Sequence, residues 1–384
     1  MRVLYIARAP FVSGAERALM SMLRHLDRNR IEPHLALGHE TEMSDLARDA
    51  NVKTTLLPTP KRSKSSMLAW WRSLRQLKKL VNVFQPDLMH ANDVPSCQAM
   101  SAVGQKMNVP RVVHIRWGIT ASSMAWWART GMDQIICISQ WVRDELGDLA
   151  GTSIASASCD IVPDAVDWPA DVDAIKSISG SQKGDIDTTA SKQVNTSKSH
   201  QIILGFTGQL IESKGLDLVI EAMGELPDSC EVKLLVAGED TQSGGAYKKQ
   251  LQQLASQCGV ADRIEWLGFL DDVSQLHQRV DVMVCPSRIE PLGLVPLEAA
   301  QYQVPTIANR EGGLAETIQH EKTGWLVEPT VQAWTRGLVD VAGDADRMDK
   351  GMGAYQRTID CYSPKVYQQR LTEVYETMTK KEMQ

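Results

Sequence analysis

Two α/β domains built on parallel sheets are what this sequence predicts, and three observations carry that reading. Short β-rich runs alternate with amphipathic helical stretches, the pattern of parallel strands joined by crossover helices. The stretch from Cys285 to Pro329 runs strand, loop, helix, strand, loop, helix, and its loops follow the carboxyl ends of strands, where open α/β sheets bind ligands. The chain also has 384 residues, enough for two domains of ordinary size.

Bulk properties exclude several classes. Hydrophobic residues make up 43% and charged residues 23%, which are globular values. A net charge of -6 speaks against a nucleic-acid binder. The opening run Met1–Ala7 is too short for a signal peptide and reads as a first buried strand. No run approaches the ~18 apolar residues of a membrane span. Seven scattered cysteines without a C-x-x-C pair predict reduced thiols in a cytoplasmic protein, with no disulfide framework or zinc site.

The first strand, Arg2–Ala7, leads through Gly14 into a helix with Ala15, Ala18, Leu19, Met22, Leu23 and Leu26 on one face. Gly14 lets a backbone N–H come close to a ligand. Strands are expected at Ile31–Leu37 and Val52–Leu57. Residues 61–79 carry seven basic side chains and no acidic one. Leu68, Trp71, Leu74 or Arg75, and Leu77 follow helical spacing there, with Trp70 adjacent. Such a helix suits an anionic membrane surface, and equally a solvated basic face over a buried stripe. The runs Pro86–Asp93 and Val109–Gly118 read as strands, and the second places His114 and Arg116 on one face. Arg116 is expected to hold an anionic group. Asp133–Ser139 is a buried strand, and Ser139 caps the helix that follows.

Composition changes at residues 169–200, where Ser, Lys, Thr, Gly and Asp replace any periodic pattern, as in a flexible linker or insertion. The pairs Asp171 and Asp173, Asp185 and Asp187, and Asp344 and Asp346 follow no buried strand and are rejected as metal ligands. The next strand starts at Ile202 and ends at Gly208 and Gln209, with Lys214 just before the helix Leu216–Met223. A lysine there adds its charge to the helix dipole and favours a diphosphate. Strands at Glu231–Gly238, Arg263–Gly268 and Asp281–Cys285 follow, and Gly238, Glu239 and Asp240 end theirs where a base could dock. Gly293 and Leu294 open a helix whose backbone N–H groups suit phosphate, while Glu290 and Glu298, eight positions apart, suit sugar hydroxyls. An amphipathic helix with Val366, Tyr367, Leu371, Val374 and Tyr375 closes the chain.

These residues carry a resemblance. Pro286, Ser287, Glu290, Pro291, Gly293, Leu294, Glu298 and Ala299, then Pro305, Gly312, Gly313, Glu316, Thr323, Gly324, Leu326 and Val327, resemble in order the donor site of the family-4 retaining glycosyltransferases. Several family positions differ: Arg116 stands where many members have a histidine, and Asp164 with Ala165 where the family usually has Asn-Gly. Ser13 stands where the family has the first of two glycines, Gly14 keeping the second, and Gln209 stands where it has an arginine that acts with Lys214.

The resemblance implies a GT-B fold: two doubly wound Rossmann-like domains facing across a cleft. Residues 1–168 would form the acceptor side and 201–360 the nucleotide-sugar side, with 361–384 returning to the first domain. It implies metal-independent, retaining transfer of a hexose from a UDP or GDP sugar to a saccharide or lipid-linked acceptor, without a cofactor, in bacterial surface polysaccharide or glycolipid synthesis at the inner membrane face. Lys214 and Glu290 are then the catalytic pair. Gly14, Gln209, Arg288, Gly293, Leu294 and Glu298 join them at the donor, and His114 and Arg116 lie on the acceptor side. With Gln209 in place of the arginine, either Lys214 works alone or Arg116 or Arg288 supplies the missing cation. A nucleotide-sugar epimerase and a non-catalytic partner subunit are the alternatives.

Overall fold

The computed structural model describes residues 1–10, 12, 14–59, 65–117, 132–148, 158–167 and 201–381. Ser13, residues 61–64, Gly118, the stretch 169–200 and its two Asp pairs lie outside the described residues. The chain divides into two units, Met1–Asp167 with Cys361–Gln384, and Trp168–Asp360.

Among the described residues, the first unit holds seven parallel strands: β1 (Arg2–Ala7), β2 (Glu32–Leu37), β3 (Lys53–Leu56), β4 (Leu88–Ala91), β5 (Arg111–Ile115), β6 (Gln134–Cys137) and β7 (Ser158–Ile161). They lie in the order β3-β2-β1-β4-β5-β6-β7. β1 is a near-continuous apolar run, and Val3, Leu4 and Tyr5 are fully buried, because helices cover both faces of a parallel sheet. The helix Gly14–His25 contributes Leu19, Met20, Met22 and Leu23 to one core. The helix Pro364–Lys381 enters the same core through Tyr367, Leu371, Val374, Tyr375 and Met378. β7 falls at the run Ser158–Ile161, which carries no alternation long enough to read as a strand from sequence.

The basic stretch forms the helix Met67–Phe84, and its buried stripe differs from the expected one. Trp70, Ser73, Leu77 and Val81 face the protein, whereas Leu68 is 88% and Trp71 52% exposed. Both sets fit helical spacing, so the choice of face fell to the packing surface beneath the helix.

The second unit repeats the plan with β8 (Ile202–Thr207), β9 (Val232–Ala237), β10 (Ile264–Gly268), β11 (Val282–Cys285), β12 (Thr306–Asn309) and β13 (Gly324–Val327). Their order is β10-β9-β8-β11-β12-β13, all parallel. The order reverses between β8 and β11, which makes the loops after these two strands the walls of the crevice at the switch point.

Candidate functional site

The loop after β8 ends in the short turn Glu212–Lys214, and the loop after β11 carries residues 286–293. Because β8 and β11 are neighbours, the two loops touch. Lys214 Nζ donates to Glu290 Oε2 at 2.7 Å, with both side chains largely buried. Burial pushes the Lys214 ammonium down, but the Glu290 carboxylate overcomes this and holds it above the usual lysine range. The pair joins two groups of the kind that grip phosphate and sugar hydroxyls.

Main-chain contacts bring the loops this close. Gly215 has φ +68°, and a Cβ there would lie 2.1 Å from the Pro286 carbonyl oxygen, so no other residue fits. Next to it, the Arg288 N–H donates to the Ser213 carbonyl at 2.8 Å. On the far side, Gly312 (φ +56°) leaves room for the Glu290 carbonyl, which accepts from the Gly313 N–H at 2.8 Å.

Asn309, at the end of β12, underpins the same loop. Its Nδ2 donates to the carbonyls of Pro286 at 2.6 Å and Ser287 at 3.1 Å, and its Oδ1 accepts from Trp334 Nε1 at 2.7 Å. Asn309 and Trp334 are fully buried. Neither was singled out from sequence; the only available signal was a polar residue closing an apolar strand. Losing one partner here would strand buried polar groups at about 1–3 kcal/mol each.

Both arginines expected at the site have internal partners. Arg288 is not a free cation: its Nη1 and Nη2 grip Asp217 Oδ1 and Oδ2 at 2.9 and 2.5 Å, and Nη1 also donates to the Glu212 carbonyl. Arg116, in the first unit, is more fully committed. Its Nε and Nη2 donate to Asp164 at 2.7 and 3.0 Å, Nη1 donates to Asn92 O and Oδ1 at 2.9 and 2.7 Å, and Nη2 also reaches His114 Nδ1 at 3.1 Å. A guanidinium has five N–H donors, and all five are used internally. Arg116 therefore ties the turn at Asp164 to Asn92 and His114.

The remaining expected residues fall as follows. Gln209 is exposed just past β8. Gly293 (φ +93°) precedes the helix Leu294–Ala300, on which Leu294 and Glu298 are half-buried. Asp240, after β9, accepts from the Ser243 hydroxyl and N–H and from the Tyr247 N–H, which hold its carboxyl down at about 2. It thus satisfies main-chain N–H groups of Tyr247 and Lys248 in the first turn of the helix Ala246–Gln257, whose N-cap is Gly245. Gly14 opens the first helix of the other unit. His114 is fully buried there beside Arg116, and burial holds its imidazole neutral, well below the usual range. So Lys214, Arg288 and Glu290 come together in the second unit, and His114 and Arg116 in the first.

Two family models match the chain, one in each half: "Glycosyltransferase Family 4" over residues 12–167 and "Glycosyl transferases group 1" over residues 187–357. The chain belongs to the family-4, group 1 glycosyltransferases. This family-4 chain is 34% identical over 160 residues to the GDP-mannose-dependent alpha-(1-6)-phosphatidylinositol monomannoside mannosyltransferase of Mycobacterium tuberculosis, covering 39% of this chain and 40% of that protein. It is 33% identical over 144 residues to the lipopolysaccharide core biosynthesis mannosyltransferase LpcC of Rhizobium leguminosarum bv. viciae, covering 37% and 41%. The matches thus span about two fifths of these curated relatives' length. The Anabaena HepE structure in complex with UDP and glucose has a TM-score of 0.76 at 18% identity, covering 98% of this chain and 100% of that one. Sucrose-phosphate synthase from Thermosynechococcus elongatus has a TM-score of 0.73 at 17% identity, covering 98% of each chain. The family-4 chain has the GT-B fold.

Proposed function

We propose that the protein is a retaining, metal-independent hexosyltransferase that moves a sugar from a UDP or GDP donor to a saccharide or lipid-linked acceptor, in the synthesis of a bacterial surface polysaccharide or glycolipid. The observation that carries this reading is the Lys214–Glu290 pair, set by adjacent strands at the switch point of the second sheet. Lys214 would donate to the leaving diphosphate, where negative charge develops in the transition state. Glu290 would hold hydroxyls of the transferred sugar and orient its anomeric carbon, and Glu298 would hold the ribose. The departing phosphate would take the acceptor's proton on the same face. His114 is too deeply buried and too weakly basic to serve instead. GDP-mannose in a relative's name and UDP with glucose in a similar structure support a hexose nucleotide as donor.

A thermal-shift panel of UDP, GDP, ADP and their sugars tests the reading, because a ligand that binds only the native state raises the midpoint by mass action. One nucleotide series should raise it, and the rise should vanish in Glu298→Ala. No rise with any nucleotide would sink the assignment of the pocket. Transfer then follows from labelled donor with extracted lipid or oligosaccharide, with product anomer read by NMR.

The exposed face of the helix Met67–Phe84 supports a lipid-side acceptor. Leu68, Trp71, Arg72, Arg75 and Lys79 share that face, and the helix contains no acidic residue. Apolar tips among cations suit an anionic bilayer surface. The protein should co-sediment with phosphatidylglycerol vesicles but not with phosphatidylcholine vesicles, and Leu68→Glu with Trp71→Glu should release it. Equal sedimentation of that variant would remove the membrane from the reading.

A further inference from the structure

We infer that Arg288 and Asp217 form a positioning clasp that holds the turn bearing Lys214 beside the loop bearing Glu290, and that Arg288 does not itself bind the donor phosphates. The inference rests on the nucleotide-sugar reading of this site. Arg288 lies two residues before Glu290, and Asp217 lies three after Lys214, in the first turn of the helix Leu216–Gly224. Three contacts tie the loops at this point. The guanidinium holds both oxygens of Asp217, its Nη1 reaches the Glu212 carbonyl at 2.5 Å, and the Arg288 N–H reaches the Ser213 carbonyl at 2.8 Å. Glu212 and Ser213 are the two residues immediately before Lys214. The Tyr247 hydroxyl also donates to Asp217 Oδ1 at 3.3 Å, so the carboxylate is oriented from a second helix.

The planar fork of arginine is what makes this a clasp. A bidentate pair fixes distance and angle together, which a lysine ammonium cannot do. With Arg288 engaged on one side and the Gly312–Gly313 turn on the other, the Glu290 backbone is held from both ends.

Simple electrostatics and the clasp predict opposite signs for one variant. Asp217 is an anion near the proposed phosphate position, so if Arg288 were a phosphate ligand, Asp217→Asn would free it and tighten binding of a nucleoside diphosphate. If Arg288 is a clasp, the same change loosens the Lys214 turn and weakens binding. The experiment measures UDP and GDP affinity by calorimetry in the wild type, Asp217→Asn, Arg288→Lys, and the exchanged pair Asp217→Arg with Arg288→Asp. The clasp predicts about a tenfold loss in Asp217→Asn and in Arg288→Lys, with partial recovery in the exchanged pair, which has the wild type's net charge. Affinity unchanged or raised in Asp217→Asn overturns the clasp, as does an exchanged pair weaker than both single variants. A wild type that binds neither nucleotide overturns the donor-site reading instead, so the two failures are distinct. Unliganded thermal midpoints check that each variant is folded, and recovery in the exchanged pair is a readout that general loosening of the fold would not produce.

Discussion

Lys214 Nζ and Glu290 Oε2 stand 2.7 Å apart although 76 residues separate them. The ammonium is already partnered before any diphosphate arrives. On the proposed function, a donor diphosphate competes with Glu290 for this lysine or adds to the pair.

Competition makes a sharp prediction for Glu290→Gln. Removing the internal anion should tighten binding of UDP or GDP several-fold, while transfer from the full donor should fall about 10²–10³-fold through loss of a transition-state contact. Calorimetry with the free nucleotide and a transfer assay check the two halves. A variant that binds the nucleotide more weakly than the wild type would show that the pair assists the phosphate site.

Arg116 and Asp164 are both almost completely buried, at 8% and 4% side-chain exposure. Breaking such a pair from one side leaves an uncompensated charge, so Arg116→Met should cost about 3–5 kcal/mol in urea unfolding. Adding Asp164→Leu should recover much of that loss. A cost below about 1 kcal/mol would mean the turn does not depend on the pair.

His90 predicts how stability changes with acid. It sits between Tyr375, whose hydroxyl is 2.5 Å from His90 Nδ1, and His114, and burial followed by the nearby Arg116 charge depresses its pKa to about 3. The unfolded chain, with an ordinary histidine, binds the proton first as pH falls. The contribution of neutral His90 is therefore complete above about pH 6.5 and declines down to about pH 3. Within this window His90→Gln should flatten the stability slope by about 1.4 kcal/mol per pH unit relative to the wild type. Urea unfolding at pH 7, 6, 5 and 4.5 measures it, and parallel slopes would place a charged imidazole in the folded protein.

Asp240 acts at lower pH in the same sense. Its carboxyl is held at about 2 by the Ser243 hydroxyl and N–H and the Tyr247 and Lys248 N–H groups, below the ordinary value near 3.8. Its stabilisation is present above pH 3.8 and is lost as pH falls through about 2. The gap in thermal midpoint between the wild type and Asp240→Asn should narrow steadily from pH 5 to pH 2. A gap constant across that range would remove the carboxylate charge from the first turn of the helix Ala246–Gln257.

Much of the site was legible because its parts are local. A buried strand ending in proline, a loop with Glu290 and Gly293, and a lysine followed by glycine are each decided by a few neighbouring residues. What the sequence leaves out is the partners. Arg116 and Arg288 read as available cations because a sequence shows the charge but not the carboxylates, Asp164 and Asp217, that occupy it. Leu68 and Trp71 read as one stripe with Leu77 because several helical faces fit the same spacing.

The order of residues along the chain was thus enough to mark the parallel α/β class, the family and the candidate residues Lys214, Glu290 and Glu298, since backbone preference and side-chain chemistry act over short separations. Adjacency was decided only in the folded chain. Nothing near Lys214 specifies that β8 lies beside β11, and nothing near Pro286 specifies that Asn309 and Trp334 will hold its carbonyl. Those choices follow from burying the strands of each sheet on both faces at once, a condition that involves every element of the unit together.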